Sequence, residues 1–77
     1  MTIGFVLIKA VPSHEHKVYN KLSNISEIIK LHPLFGEYDF IAKVEVENYD
    51  KLGSIVVNKI RSVEGVLSTK TLTGTKF

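Results

Sequence analysis

The amino-acid sequence predicts an α+β domain of the ferredoxin-like kind, in which a four-stranded antiparallel sheet carries two helices on one face. Three observations predict it. The hydrophobic pattern changes between strand and helix periodicity in the order strand, helix, strand, strand, helix, strand. Two similar segments, NKLSNI at 20–25 and NKIRSV at 58–63, occupy the same place in each half. A length of 77 residues accommodates one such domain, spanning residues 1–77, and no second.

The first half of the chain predicts two strands and a helix. Residues 2–11 are rich in β-branched and aromatic residues and apolar on both parities, which is typical of a strand covered on both faces. Ser13 is the predicted N-cap of a helix that ends near residue 24. Residues 26–35 predict a second strand. Because proline cannot donate to a ladder, Pro33 predicts that this strand lies at a sheet edge or ends in a bulge.

The second half repeats this order after a turn at residues 36–39. Residues 38–46 alternate apolar and polar side chains, as in a half-buried strand. Asn48 is the predicted cap of the second helix, and Gly65 marks its end. The last predicted strand spans residues 66–75, with threonines at alternate positions. The buried stripe of the second helix is predicted to comprise Leu52, Ile55, Val56 and Ile60.

Composition excludes several classes of protein and favours self-association. The chain has no cysteine, so neither disulfides nor thiolate metal sites stabilise it. No apolar run approaches the ~18–20 residues of a membrane span, and no signal peptide precedes the first strand, which predicts a cytoplasmic protein. A net charge of +2 argues against a nucleic-acid surface. Because one chain of this size buries too little surface and its first strand is apolar on both faces, we expect at least a dimer packed through its sheets.

The side chains that carry chemistry do not form a recognisable catalytic pattern. His14 and His16 are two residues apart at a helix start and point away from each other, and His32 stands alone, so no metal site is predicted. No activated nucleophile or glycine-rich phosphate loop is present. Arg61 is the only arginine, which disfavours an anion-clamping active site. The sequence therefore predicts a non-enzymatic domain without a cofactor.

The segment GEYDFIAKV at 36–44 admits several interpretations. It is a structural turn if Gly36 supplies a positive φ and Asp39 caps the backbone. It is part of an RRM-like RNA-binding sheet if Phe5, Tyr38 and Phe40 stack on bases. It is a small-molecule site if Asp39 holds an ammonium group beside free backbone donors. A dimeric ferredoxin-like enzyme, with its active site in the cavity enclosed between two sheets, is a further alternative, and a pocket lined by Asp39, Lys43 and Glu45 would favour it.

Two stretches resemble one known family. The turn Gly36-Glu37-Tyr38-Asp39 entering a strand, followed by IRSVEGV at 60–66 and STKTL at 68–72, is similar to the effector-binding (RAM) domain of the leucine-responsive regulatory protein (Lrp/AsnC) family. The resemblance covers essentially the whole chain. It implies a dimeric α/β barrel formed by two sheets, assembly of dimers into rings such as octamers, and amino-acid effectors bound in clefts between dimers.

Carried over to this chain, the resemblance implies specific ligand contacts. Gly36, Glu37, Tyr38 and Asp39 would contact the amino acid, with Asp39 taking its amino group, and Thr69 and Thr71 would supply hydroxyl contacts. Family members begin with a helix-turn-helix DNA-binding domain, whereas this chain starts directly at its first strand. We therefore expect an oligomerising amino-acid sensor that affects transcription by associating with full-length regulators of the family. The chain itself is expected to bind neither nucleic acid nor membrane. A structural subunit with a vestigial cleft is the remaining alternative.

Overall fold

The computed structural model describes residues 1–74 and has the predicted element order. Thr75, the last threonine of the predicted final strand, lies outside the described residues. The elements in chain order are β1 Thr2–Ala10, α1 Glu15–Leu22, β2 Ile28–Pro33, β3 Phe40–Val46, α2 Tyr49–Ile55 continuing as a π-helical turn Val56–Ile60, and β4 Val66–Thr73.

The four strands form one antiparallel sheet in the order β2-β3-β1-β4. Strand β2 lies at an edge, as Pro33 predicted, and its register shifts between Ile28 and Lys30. A second irregularity lies between Lys9 and Ala10, where β1 pairs with the start of β4. The central pair therefore consists of β1 and β3, whose register joins Ile8 to Phe40. This pairing brings the end of β1 beside the turn at residues 36–39.

Alternate residues of the strands point to two different environments. The side chains on one face pack with the buried residues of both helices into a single core, so the helices cover this face. The other face carries Phe5, which pairs with Lys43 and Leu72, and Leu7, which pairs with Ile41 and Lys70. Phe5 is 37% and Leu72 43% exposed. Strand β1 is thus apolar on both faces, as predicted, but one chain covers only one of them.

Helix α2 begins and packs as the sequence predicts. The Asn48 side chain accepts a hydrogen bond from the Lys51 backbone N–H at 2.9 Å, which satisfies one of the unpaired amides at the helix start. The predicted stripe of Leu52, Ile55, Val56 and Ile60 is buried. The helical backbone ends at Ile60 rather than near Gly65, because its last turn widens and the Arg61 amide bonds the Val56 carbonyl at 2.8 Å. Gly65 instead adopts φ +101° in the turn into β4.

The predicted cap of the first helix is wrong. Ser13 has φ +69°, and its hydroxyl donates to the Pro12 carbonyl rather than accepting from a helix amide. His14 occupies the cap position without a side-chain bond, and α1 ends at Leu22 instead of residue 24. The turn that redirects the chain after β1 therefore takes Ser13 out of capping geometry. Strand β2 is likewise shorter than the predicted residues 26–35.

The similarity between residues 20–25 and 58–63 corresponds to equivalent exits from the two helices. Leu22 and Ile60 are both fully buried. The Ile25 amide donates to the Leu22 carbonyl, and the Val63 amide to the Ile60 carbonyl, each at 3.1 Å. At the start of β2 the Ile28 amide then donates to the Ile25 carbonyl, and at the start of β4 the Val66 amide donates to the Val63 carbonyl, each at 3.1 Å. The two halves thus leave their helices and enter an edge strand in the same way.

Neither helix in the described part of the chain has the length and hydropathy that spanning a bilayer requires.

Candidate functional site

The turn singled out by the sequence forms the tip of the β2–β3 hairpin. Its neck is closed by the Leu34 amide, which donates to the Asp39 carbonyl at 2.8 Å. Gly36 has φ +134°, a conformation that side-chain-bearing residues rarely adopt, so glycine is the residue that suits this position. Glu37 is exposed and Tyr38 is half-buried. The first predicted group of site residues is therefore contiguous and lies at one end of the sheet.

Asp39 connects three segments of the chain at this end. Its amide donates to the Ile8 carbonyl at 2.9 Å, and its carboxylate Oδ2 accepts from the Ala10 amide at 2.7 Å. The β1–β3 ladder ends at Ile8 and Phe40. Beyond this point the Asp39 carboxylate, in place of a backbone carbonyl of the neighbouring strand, accepts the hydrogen bond from the Ala10 amide. Asp39 thus has a structural role through one oxygen. Within residues 1–74 its second oxygen, Oδ1, has no hydrogen-bond partner.

Backbone donors accompany this free oxygen. Among the described residues, the amides of residues 35–38 donate to no other protein group. Four successive unpaired N–H groups in a turn form a surface that favours an anion such as a carboxylate. The free Asp39 oxygen favours a cation such as an ammonium group. The hairpin tip therefore presents recognition groups for both charges of a zwitterion.

A groove runs from the hairpin tip to the start of α1. Its wall at the tip includes Phe35, Gly36 and Asp39, and its continuation along the helix is mainly apolar. Sequence reasoning missed the helix side of this groove. Glu15 and Tyr19 are four residues apart and so lie on one helix face, but no sequence signal places that face beside the hairpin tip. The helix residues lining the groove are Glu15, His16 and Tyr19.

The predicted threonines lie elsewhere in the same protomer. Thr69 pairs with Ile8 and Thr71 with Val6, so both point to the helix-covered side of the edge strand β4. Thr69 is half-buried and Thr71 exposed. Because β1 lies between β3 and β4, two strand spacings, roughly 10 Å, separate Thr69 from Phe40. One protomer does not bring these hydroxyls to the hairpin tip.

A second groove lies at the opposite end of the sheet. It is lined by Glu45 of β3 and by a pair in which the Lys59 Nζ bonds the two Glu27 carboxylate oxygens at 3.1 and 3.0 Å. The Lys59 ammonium, by this hydrogen bond, holds the pKa of Glu27 below its ordinary value. Asp39 and Glu45 therefore line different grooves, and Lys43 lies between them on the open face. Within one protomer, these three residues do not line a common pocket.

The positions of Phe5 and Phe40 do not favour the RNA-binding alternative. Phe40 is 4% exposed and lies beneath the helices, with its ring centroid 5.8 Å from that of Tyr19. Phe5 lies on the opposite, open face of the sheet. Aromatic residues on two different faces cannot form the single stacking surface that an RRM uses. The aromatic residues of this segment belong to the core and to the groove.

Comparison with known proteins agrees with this fold. The Lrp/AsnC ligand-binding domain model matches residues 3–75. A helix-turn-helix transcriptional regulator of Pyrococcus horikoshii, PH1916, is 31% identical over 74 residues, which cover 92% of this chain and 49% of the relative. The chain thus spans about half the length of the curated relatives it matches.

Solved structures show the same fold over nearly the whole chain. FFRP-DM1 has a TM-score of 0.91 at 29% identity, with 97% of this chain and 100% of that chain covered. TTHA0845 from Thermus thermophilus has a TM-score of 0.92 at 26% identity, with 100% and 96% covered. The family model matches almost the whole chain, and the chain belongs to the Lrp/AsnC ligand-binding domain family.

Proposed function

We propose that this module binds a free amino acid at the hairpin tip and couples binding to the assembly of several copies. The observation that carries the proposal is the pairing of one free Asp39 carboxylate oxygen with the unpaired amides of residues 35–38. An α-amino acid carries an ammonium and a carboxylate on the same carbon, and it therefore needs one acceptor and several donors close together. The tip supplies both.

Each part of the tip has a role in this proposal. Gly36 allows the backbone conformation that exposes the amides, and Asp39 receives the ammonium group while its other oxygen holds Ala10. Glu37 and Tyr38 flank the ligand on the loop. The ligand side chain lies in the tip end of the groove, beside Leu34. Thr69 and Thr71 contribute from another copy, since β1 separates them from the tip of their own protomer.

The open face of the sheet supports the assembly. It carries a central apolar stripe, and lysines surround the stripe toward the edges of the sheet. Apolar surface of this extent favours burial against a second copy, with the lysine stems packing at the rim and their charges in water. We propose a homodimer through this face and further association of dimers into a ring, up to an octamer. The stripe consists of Ile3, Phe5, Leu7, Ile41 and Leu72.

The cellular setting follows from the same proposal. An amino-acid sensor of a transcriptional regulator acts in the cytoplasm, through full-length members of its family, and it binds its ligand without converting it. No cofactor is required for binding and release. The enzymatic alternative would require turnover of the bound amino acid, which a binding experiment with recovery of the ligand distinguishes.

The proposal is tested by calorimetric titration with each of the twenty common amino acids, comparing wild type with Asp39→Asn. Asparagine keeps an oxygen that accepts from the Ala10 amide but removes the negative charge that attracts an ammonium group. We expect one amino acid to bind wild type and to bind Asp39→Asn about 10- to 100-fold more weakly.

Two further variants separate ligand binding from structure. Glu47→Gln removes one exposed negative charge at the far end of the sheet and should bind like wild type. Asp39→Ala also loses the bond to Ala10, so it should lower thermal stability as well as affinity. Equal affinity of wild type and Asp39→Asn would remove Asp39 from the site, and the absence of binding for all twenty amino acids would contradict the proposed ligand class.

A further inference from the structure

The most exposed aromatic side chain of the described residues lies at the hairpin tip. Phe35 is 107% exposed, as accessible as in an extended chain, and it follows Pro33 and Leu34, which are also exposed. Leu34 and Phe35 thus extend beyond the end of β2. The Leu34–Asp39 hydrogen bond holds the backbone of this protrusion in place. Exposure of a phenylalanine on an ordered tip is costly unless something covers it.

An apolar slot lies directly beside this protrusion. It is about 280 Å³ in volume and is formed by Tyr19, Pro33 and Phe40, with Glu15 and His16 at its mouth. Phe35 does not line it, so the slot is open to a side chain from outside. Tyr19 and Phe40 form a tilted aromatic pair in the wall of this slot, and Tyr19 is the more exposed of the two. The same end of each protomer therefore carries an aromatic protrusion and an aromatic-lined slot.

We infer that Phe35 of one copy inserts into the slot formed by Tyr19, Pro33 and Phe40 of a second copy, and that this contact joins one sheet-packed dimer to the next. Pro33 forms the slot and lies two residues from Phe35, so a twofold axis at the tip lets both copies insert at once. The association of dimers into a closed ring is the part of this inference that rests on the proposed function. The partner thereby covers the groove beside Asp39 and completes its wall.

The area of the contact explains why it would join dimers rather than form them. A phenylalanine buries about 150–250 Å². Two reciprocal insertions with their slot walls bury several hundred Å², which is less than the ~1,200 Å² of a stable specific interface. Such a contact becomes stable when each unit makes it twice, as a dimer closing into a ring does. On dilution, the larger assembly should therefore dissociate to dimers before the dimers dissociate.

Light scattering after size-exclusion chromatography, without amino acids, tests the contact. Phe35→Ser should elute as a dimer at concentrations where wild type forms a larger assembly, because each lost insertion weakens the contact about 10- to 150-fold. Tyr49→Ser is the matched control: Tyr49 is 58% exposed and lies at the start of α2, beyond the opposite end of β3. It should assemble like wild type.

A fluorescence measurement provides an independent test. The chain contains no tryptophan, so Phe35→Trp introduces a single reporter at the tip. Its emission should be blue-shifted in the larger assembly and shift to the red on dilution to dimers. Wild type that never exceeds a dimer, Phe35→Ser that assembles normally, or a tip tryptophan that stays solvent-exposed in the largest assembly would each overturn the inference. Loss of amino-acid binding in Asp39→Asn would leave it unaffected.

Discussion

The two faces of the sheet carry similarly apolar side chains but have different surroundings. On β1, Val6 and Ile8 are fully buried beneath the helices, whereas Phe5 and Leu7, their sequence neighbours, lie on the open face. Hydrophobicity alone therefore does not distinguish the core from the open face of the sheet. The helices cover one face, which becomes the core. The other face has similarly apolar residues, but neither α1 nor α2 of the same chain covers them.

Truncation of a residue on the covered face should have the largest effect. Ile8→Ala removes buried methylene and methyl groups from a fully buried site, and we expect it to lower the free energy of unfolding by about 2–5 kcal/mol. Urea unfolding at fixed protein concentration measures this loss. Val57→Ala, at an exposed position of the π-helical turn, should change stability by no more than about 0.5 kcal/mol. A similar loss in both variants would contradict the assignment of the covered face.

Polar substitution on the open face should act on association instead. Phe5→Ser places a hydroxyl in the centre of the apolar stripe, and we expect the dimer dissociation constant to rise at least tenfold. Sedimentation over a dilution series measures it. Because unfolding of a dimer depends on protein concentration, the dependence of the wild-type midpoint on concentration should weaken in this variant. A wild-type protein that is monomeric at micromolar concentration would contradict this role of the open face.

The smallest effect should come from the ion pair that joins the end of the helix layer to the segment before β2. The Lys59 ammonium lowers the pKa of Glu27 below its ordinary value of 4.5. The unfolded chain then binds more protons than the folded one as pH falls through this region. The contribution is present above pH 4.5 and is lost as pH falls through the lower folded pKa. Wild type should therefore lose slightly more stability than Glu27→Gln between about pH 6 and pH 3, by thermal unfolding. An identical pH dependence would show that the pair contributes nothing.

Local chemistry explains which elements the sequence could predict. Alternation in β3, the apolar stripe of α2 and the Asn48 cap are confirmed, because each depends on residues within one or two turns of each other. The prediction of Ser13 as the helix cap is wrong because the turn after β1 gives Ser13 a φ of +69°. That turn is required by the path of the chain from the sheet to the helix. The widened turn at residues 56–60 had no sequence signal.

The candidate site divides in the same way. The hairpin tip could be predicted because Gly36 and Asp39 are close in sequence and have clear turn chemistry. The helix wall of the groove at Glu15 and Tyr19 could not, since only packing of α1 beside β3 brings it there. The separation of Thr69 from the tip depends on strand order, with β1 between β3 and β4. Ligand contact by residues 36–39, Thr69 and Thr71 stays a prediction.

Periodicity and glycine chemistry act over a few residues. For this reason the amino-acid sequence alone was enough to predict the element order, the alternation of β3 and the turn at the hairpin tip. Packing of the helices and pairing of the strands set the remaining features. These are which parity of β1 is covered, the placement of Phe5 and Phe40 on opposite faces, and the bond from the Ala10 amide to Asp39. Contacts between residues far apart in the chain depend on the packing of the whole domain, which no local pattern encodes.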